Sequence, residues 1–236
     1  MANKILSLIF PICNVILPNK LKFYLADILG DNLHEVILEK NDGSMIPKER
    51  IEFMASLLEK CLQKKLDGNV IECGVYKGGS CRVLANKLKS CKSSKILFAL
   101  DTFSGFKFND EPKYYPSGRP PKVKGTHVVD FEELKNSFIE DGLDNVQFVG
   151  GLFEESFPKL SKEEFCFAHV DADLYVSTKQ CIEFLKDRII LGGIIYFDDY
   201  NSEHWPGATA AINEMLGEEN ITKLHTYQAY WVKKFE

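Results

Sequence analysis

The chain has 236 residues, of which 45% are hydrophobic and 27% charged, and its formal net charge is −5. This length suits one large α/β domain with a substantial core. The acidic balance excludes a general nucleic-acid binder, which needs a basic surface to displace counterions. Seven cysteines, none in a C-x-x-C pair and several inside apolar runs, describe buried thiols in a reducing, cytoplasmic setting rather than a zinc or disulfide framework.

In chain order, the first feature is an apolar stretch, Ile5–Leu17, that follows Lys4. It is shorter than the ~20 residues a membrane-spanning helix needs. Pro11 interrupts it, and it lacks the small-x-small cleavage site of a secretory signal. It is expected to pack on the body or on a second copy in a homo-oligomer, without stable membrane insertion. Residues 1–66 read as a helical extension or cap. Within them Pro47–Lys64 is amphipathic, with Ile51, Met54, Ala55, Leu58, Cys61 and Leu62 on one face.

Residues 67–236 read as the main domain. Strands are predicted at Asn69–Cys73, Lys95–Asp101, Val146–Val149, Phe165–Asp171 and Gly193–Asp198, nearly continuous apolar runs that imply burial on both faces. Helices are predicted near Ser80–Lys89, Phe131–Ile139, Val176–Leu185 and Ala208–Leu216. This alternation marks a mostly parallel sheet with helices on both faces. The tail, Ile221–His225 with Tyr230–Phe235, is expected to close the sheet as an antiparallel pair. A connection over residues 102–130, rich in proline and glycine, reads as a lid. Its segment Lys107–His127 carries five basic residues and two acidic ones, against the global sign, which points to an acceptor bearing negative charge.

Three groups of residues carry chemistry. Val70 to Ser80 forms a strand, a glycine turn (Gly74, Gly78, Gly79) and a helix start, where free N–H donors meet a ligand. The turn alone would also serve tight strand–helix packing. Asp101 closes the next strand, where an acidic residue accepts hydrogen bonds from ribose hydroxyls. The glycine spacing is not G-x-G-x-x-G, which disfavours a nicotinamide enzyme, and Glu72 suits the amino group of a methionine moiety. Finally, Asp171 and Asp173 follow one strand and Asp198 and Asp199 the next. Asp171, Asp198 and Asp199 at one rim need a cation to offset their repulsion, and hard oxygen donors suit Mg²⁺, Mn²⁺ or Ca²⁺. The plainer alternative is helix capping by Asp173 and solvated turns at the other two.

With these motifs assembled, the chain over about residues 44–235 resembles the macrocin and mycinamicin (TylF-type) sugar O-methyltransferases. The motifs are Ser44–Pro47, Val70–Val75 with Gly78 and Gly79, Asp101–Phe106, Gly151–Pro158, Val170–Thr178, and Gly192–Gly193 leading to Asp198–Tyr200. The resemblance implies a Rossmann-like class I methyltransferase fold that uses S-adenosylmethionine and Mg²⁺ (or Mn²⁺) on a small-molecule or glycan hydroxyl. It implies that Glu72, Gly74, Tyr76, Gly78, Gly79 and Ser80 surround the methionine part, and that Asp101, Thr102, Phe103 and Ser104 surround the ribose. Gly151 and Ser156 fall near adenine, and Ser44 and Met45 cover the cofactor. Asp171, Asp198 and Asp199 become the metal ligands, with Asp171 also beside the cofactor, and Asp171 and Asp173 the catalytic pair. Two positions depart from relatives: Cys73 replaces a small polar residue, and Leu174 stands where catechol-type relatives place a lysine. The general base is therefore open among Asp173, His169, His204 and metal-bound Asp171. A metal-dependent hydrolase and a non-catalytic S-adenosylmethionine binder are the competing readings. Tyr114, Tyr115, Tyr175 and Trp205 are candidate contacts to a sugar ring.

Overall fold

Strand β4 (Phe165–Val170) is buried at all six positions, as its unbroken apolar run requires of a central parallel strand. The computed structural model describes residues 46–224 and 227–234. The expectations for the apolar N-terminus, for Ser44 and Met45, and for His225 lie outside the described residues. Residues 46–236 cluster as one unit.

Around β4 the described residues form a seven-stranded sheet in the order β3-β2-β1-β4-β5-β7-β6. Strands β1 (Asn69–Cys73), β2 (Leu97–Asp101), β3 (Val146–Gly150), β4 and β5 (Ile189–Phe197) run parallel. Strands β6 (Thr222–Lys223) and β7 (Ala229–Val232) close the edge antiparallel, as the tail predicted. The chain winds outward from β1 through β2 to β3, then returns to lay β4 on the other side of β1. That reversal opens a crevice at the carboxyl ends of β1 and β4, the place where open α/β sheets bind ligands.

One face is covered by α1 (Lys48–Gln63), α2 (Gly79–Ser90) and α3 (Phe131–Glu140). The stripe predicted on α1 is its buried side: Met54, Leu57, Leu58 and Cys61 pack with Val70, Leu84, Leu88 and Phe167. The other face carries a short α4 (Phe153–Ser156), α5 (Tyr175–Arg188) and α6 (Pro206–Leu216). There Phe157, Cys181, Ile182, Leu185 and Ile212 pack under Ile71, Ala168 and Ile195. The main boundary that differs is β5, which starts at Ile189 rather than Gly193. The glycine pair reads as a break, yet Gly192 N–H donates to Lys233 O and Lys233 N–H to Gly193 O, so the tail holds it in the sheet. No helix among the described residues is long and apolar enough to cross a membrane.

Candidate active site

The crevice is tightest where β1 meets β4. Gly74 has φ +94°, and a Cβ there would lie 1.8 Å from the carbonyl oxygen of Asp171. The two strand ends are also stitched by the Asp171 N–H donating to Cys73 O at 2.9 Å. Beyond the turn, α2 begins with Gly78 in the left-handed region, no side-chain cap and no acidic residue in its first turn. Its first N–H groups, those of Gly79 and Ser80 among them, therefore face the crevice side without a protein carboxylate. Asp101, at the end of β2, reaches under the turn: Oδ2 accepts the N–H of Val75 at 2.8 Å and of Tyr76 at 2.9 Å. Its Oδ1 accepts the N–H of Phe103 at 2.9 Å. Asp101 is thus an organiser of the glycine turn as well as a candidate ribose ligand. Thr102 Oγ1 donates to Gly105 O at 2.9 Å, and Phe103 stacks on Phe131 at 4.2 Å, so both shape the same wall.

Glu72 is placed differently from the simplest reading. It is fully buried, and its Oε1 pairs with Nδ1 of His169 at 2.9 Å across the β1–β4 register. Its Oε2 and the His169 Nε2 have no hydrogen-bond partner among the described residues, an expensive state for buried polar atoms. His169 is enclosed this way, with its ring against Tyr196. His204 is exposed and meets Trp205 edge-on at 4.6 Å. Ser156 is also internal, its hydroxyl donating to Leu152 O at 3.0 Å, while Gly151 (φ +130°) leads into α4.

The carboxylates do converge. Oxygens of Asp171, Asp173 and Asp199 lie within 4.8 Å of one another. Asp198 stands close enough for its charge to act on all three, and it has contacts of its own: Arg50 Nη1 donates to its Oδ2 at 3.5 Å and Gln228 Nε2 to its Oδ1 at 3.4 Å. Burial pushes the carboxyls of Asp171, Asp173 and Asp199 well above the ordinary range, and the charges of their acidic neighbours push them further. Arg50 opposes this at Asp171 and Asp199. The Asp199 Oδ2 atom has no hydrogen-bond partner among the described residues. A set of acids packed so closely fits a divalent cation by its donor chemistry.

Two features were not legible in the sequence. Arg50 reaches this acidic set from α1, and periodicity gave it no role beyond the polar face of that helix. The second feature is backbone strain. Tyr76, Phe103, Asp173 and Asn201 all have φ between +47° and +60°, and each follows the carboxyl end of a different parallel strand. Non-glycine residues are uncommon in this region and cluster where a site over-determines the backbone. Leu174, three residues after Asp171, is buried and offers no base.

The 102–130 connection is ordered and docked. Phe106 stacks on Trp205 at 6.2 Å and touches His127, which also meets the Tyr76 ring at 5.0 Å. Tyr114 stacks on Tyr175 at 4.3 Å, and the Tyr175 hydroxyl donates to Glu214. These aromatic groups are engaged within the protein. Lys113 pairs with Glu111 at 3.0 Å, whereas Arg119, Lys122 and Lys124 are exposed.

This strand order, with its last pair antiparallel and its site at the β1/β4 switch, is the Rossmann-like fold of class I methyltransferases. The chain is similar in structure to the O-methyltransferase NovP, with a TM-score of 0.69 at 22% identity over 82% of this chain and 83% of that one. It is similar likewise to CalS11, Calicheamicin Methyltransferase, with a TM-score of 0.66 at 20% identity over 80% and 81%. Residues 40–233 match the family described as Macrocin-O-methyltransferase (TylF), and the chain belongs to that family. Relatives include demethyldecarbamoylnovobiocin O-methyltransferase of Streptomyces niveus, 26% identical over 68% of this chain and 63% of that protein. Mycinamicin III 3''-O-methyltransferase of Micromonospora griseorubida is 24% identical over 80% and 77%. The chain thus spans less than two thirds of the Streptomyces niveus protein's length.

Proposed function

We propose that this chain transfers the methyl group of S-adenosylmethionine to a hydroxyl of a sugar or related natural-product acceptor, with Mg²⁺ or Mn²⁺ at the carboxylate set. The observation that carries this reading is the convergence of Asp171, Asp173 and Asp199 beside a glycine turn organised by Asp101. S-adenosylmethionine, when bound, supplies a methyl group on a sulfonium, and a divalent ion, when bound, makes a nearby hydroxyl more acidic. Asp171 and Asp199, with Asp198 released from its two long contacts, would hold the ion. Asp173 would accept the acceptor proton. The first N–H groups of α2 would bind the methionine carboxylate, and the unpartnered Oε2 of Glu72 is the atom left for its amino group. Asp101 would hold the ribose, Gly151 and its neighbours the adenine, and Ser44 and Met45 would cover the cofactor. Holding both reactants in line turns an encounter into an oriented step. The exposed cations Arg119, Lys122 and Lys124 support an acceptor that carries phosphate or carboxylate.

The test is formation of S-adenosylhomocysteine from S-adenosylmethionine with paired acceptors: methyl α-L-rhamnopyranoside, which is neutral, and TDP-rhamnose, the acceptor named for CalS11. Turnover is expected with the charged member preferred. EDTA should lower it by at least about a hundredfold, because loss of the ion removes several kcal/mol of stabilisation, and Mn²⁺ should restore it. Turnover indifferent to EDTA would remove the cation from the proposal. Tight S-adenosylhomocysteine binding with no turnover of any hydroxyl acceptor would favour a non-catalytic binder.

A smaller effect checks Asp101. Asp101→Ala should weaken S-adenosylhomocysteine binding by roughly ten- to a hundredfold, the equivalent of about 1.5–3 kcal/mol for charge-assisted hydrogen bonds. Calorimetry reads it, and an unchanged affinity in a folded variant would confine Asp101 to shaping the turn.

A further inference from the structure

A proline-rich, charged connection is ordinarily a solvated loop, yet Asp110, Tyr115 and Val123, well inside the 102–130 segment, are buried. A buried carboxylate is costly unless its oxygens are bonded, and both oxygens of Asp110 are. Its Oδ1 accepts the N–H of Glu111 at 3.1 Å and of Tyr175 at 3.2 Å, and its Oδ2 accepts the Tyr115 hydroxyl at 3.2 Å. Tyr175 is the first residue of α5, so its N–H is one of the orphan donors of a helix start. Asp110 therefore caps that helix from another part of the chain. The same carboxylate is seated on α6: a Cβ at Gly207, the second residue of that helix, would lie 1.9 Å from Asp110 Oδ2. Its neighbours reinforce the seat. Asn109 Oδ1 accepts the N–H groups of Val123 and Lys124, both at 2.8 Å, and folds the connection back on itself.

Helices α5 and α6 are the two that leave the strand ends bearing Asp171 with Asp173 and Asp198 with Asp199. One buried side chain thus ties the connection that follows β2 to both acid-bearing corners. We infer that Asp110 is a latch, a positioning residue that keeps this connection folded across the carboxylate rim before any acceptor arrives. The acceptor then meets a preformed wall that carries the Tyr115 hydroxyl. Burial and the nearby charges of Asp110, Asp173 and Asp199 keep that phenol protonated. A phenol that donates to Asp110 retains oxygen lone pairs for an acceptor hydroxyl. The inference rests on the methyl-transfer reading only in naming the acceptor as what the wall faces.

Trypsin on the full chain, followed by mass spectrometry, tests the latch. Lys107, Lys113, Lys122 and Lys124 provide cleavage sites in the connection. Proteolysis of a locally opened segment follows its open population, so Asp110→Ala and Gly207→Ala should each speed cleavage there by about tenfold or more. Cleavage elsewhere and calorimetric affinity for S-adenosylhomocysteine should stay within about threefold of wild type, because the opening is local. Combining the two substitutions should add little, since both break one contact. Asp110→Asn keeps an oxygen for the Tyr175 N–H and should recover most of the protection. Tyr115→Phe removes a single hydroxyl and should be intermediate. Tyr115→Phe carries the test if the alanine variants fail to fold. Protection equal to wild type in Tyr115→Phe and in whichever of Asp110→Ala and Gly207→Ala folds would overturn the latch. So would acceleration spread evenly along the chain. Failure of the wild-type chain to bind S-adenosylhomocysteine would overturn the methyl-transfer reading and leave the cleavage result standing.

Discussion

Asp173→Asn is expected to lower kcat by about 10²–10⁴-fold, the usual contribution of a positioned general base, while S-adenosylhomocysteine affinity stays close to wild type. Asn preserves the shape of the side chain and removes its capacity to take a proton. The prediction follows from the proposed function, in which Asp173 takes the acceptor proton. Its φ of +58° turns it out of the line of β4, and its oxygen lies within 4.8 Å of those of Asp171 and Asp199. His169 is enclosed with Glu72, and Leu174 has no titratable group. Steady-state kinetics on the acceptor that turns over, together with calorimetry, reads both quantities. A kcat within about threefold of wild type would move the proton to another group, with metal-held Asp171 next in line.

Gly74→Ala is expected to be the most damaging glycine-to-alanine change among the described residues. The added carbon would meet a backbone oxygen at 1.8 Å, and that oxygen belongs to Asp171 in the neighbouring central strand, so neither side can rotate away. The φ of +94° adds strain of about 1–3 kcal/mol for a side-chain-bearing residue. A loss above about 3 kcal/mol in urea unfolding follows from clash and strain together, with S-adenosylhomocysteine binding abolished where the chain still folds. Gly142→Ala is the matched control. It also has positive φ, but nothing lies within 4 Å of its added carbon, so about 1 kcal/mol is expected. Equal effects at the two positions would show that the β1–β4 junction relaxes.

Much of this architecture was legible because burial on both faces writes itself as unbroken apolar runs. Strands β1 and β4 show the rule, and α1 shows its helical counterpart in the stripe from Met54 to Cys61. The acids at the ends of β4 and β5 were legible for a related reason: after a buried strand, a charged residue marks the exit from the sheet. What those acids face was not legible, since that is fixed by side-chain packing between distant segments. Asp198 was expected beside Asp171, but its contacts with Arg50 and Gln228, from opposite ends of the described chain, had no signal in the sequence. Glu72 has the same origin of surprise, because pairing with His169 depends on the β1–β4 register. The 102–130 connection was read as a lid from its composition, but its prolines and charges describe only its surface, while Asp110 and Tyr115 decide its attachment. The left-handed residues at the rim carry no glycine signature and became visible only in the backbone.

The contact between Arg50 and Asp198 also bears on how far this site could be transplanted. A version trimmed to begin at β1 would retain all four aspartates and discard the helix that brings their only arginine partner among the described residues. The acids would then stand without that arginine, and any cation bound there would have to supply the compensation it gives. Such a rim grafted onto another scaffold is expected to be less stable and less selective than the same acids beside α1. With α1 attached, part of the negative charge is already answered for, and the rim is a portable unit only when that helix travels with it.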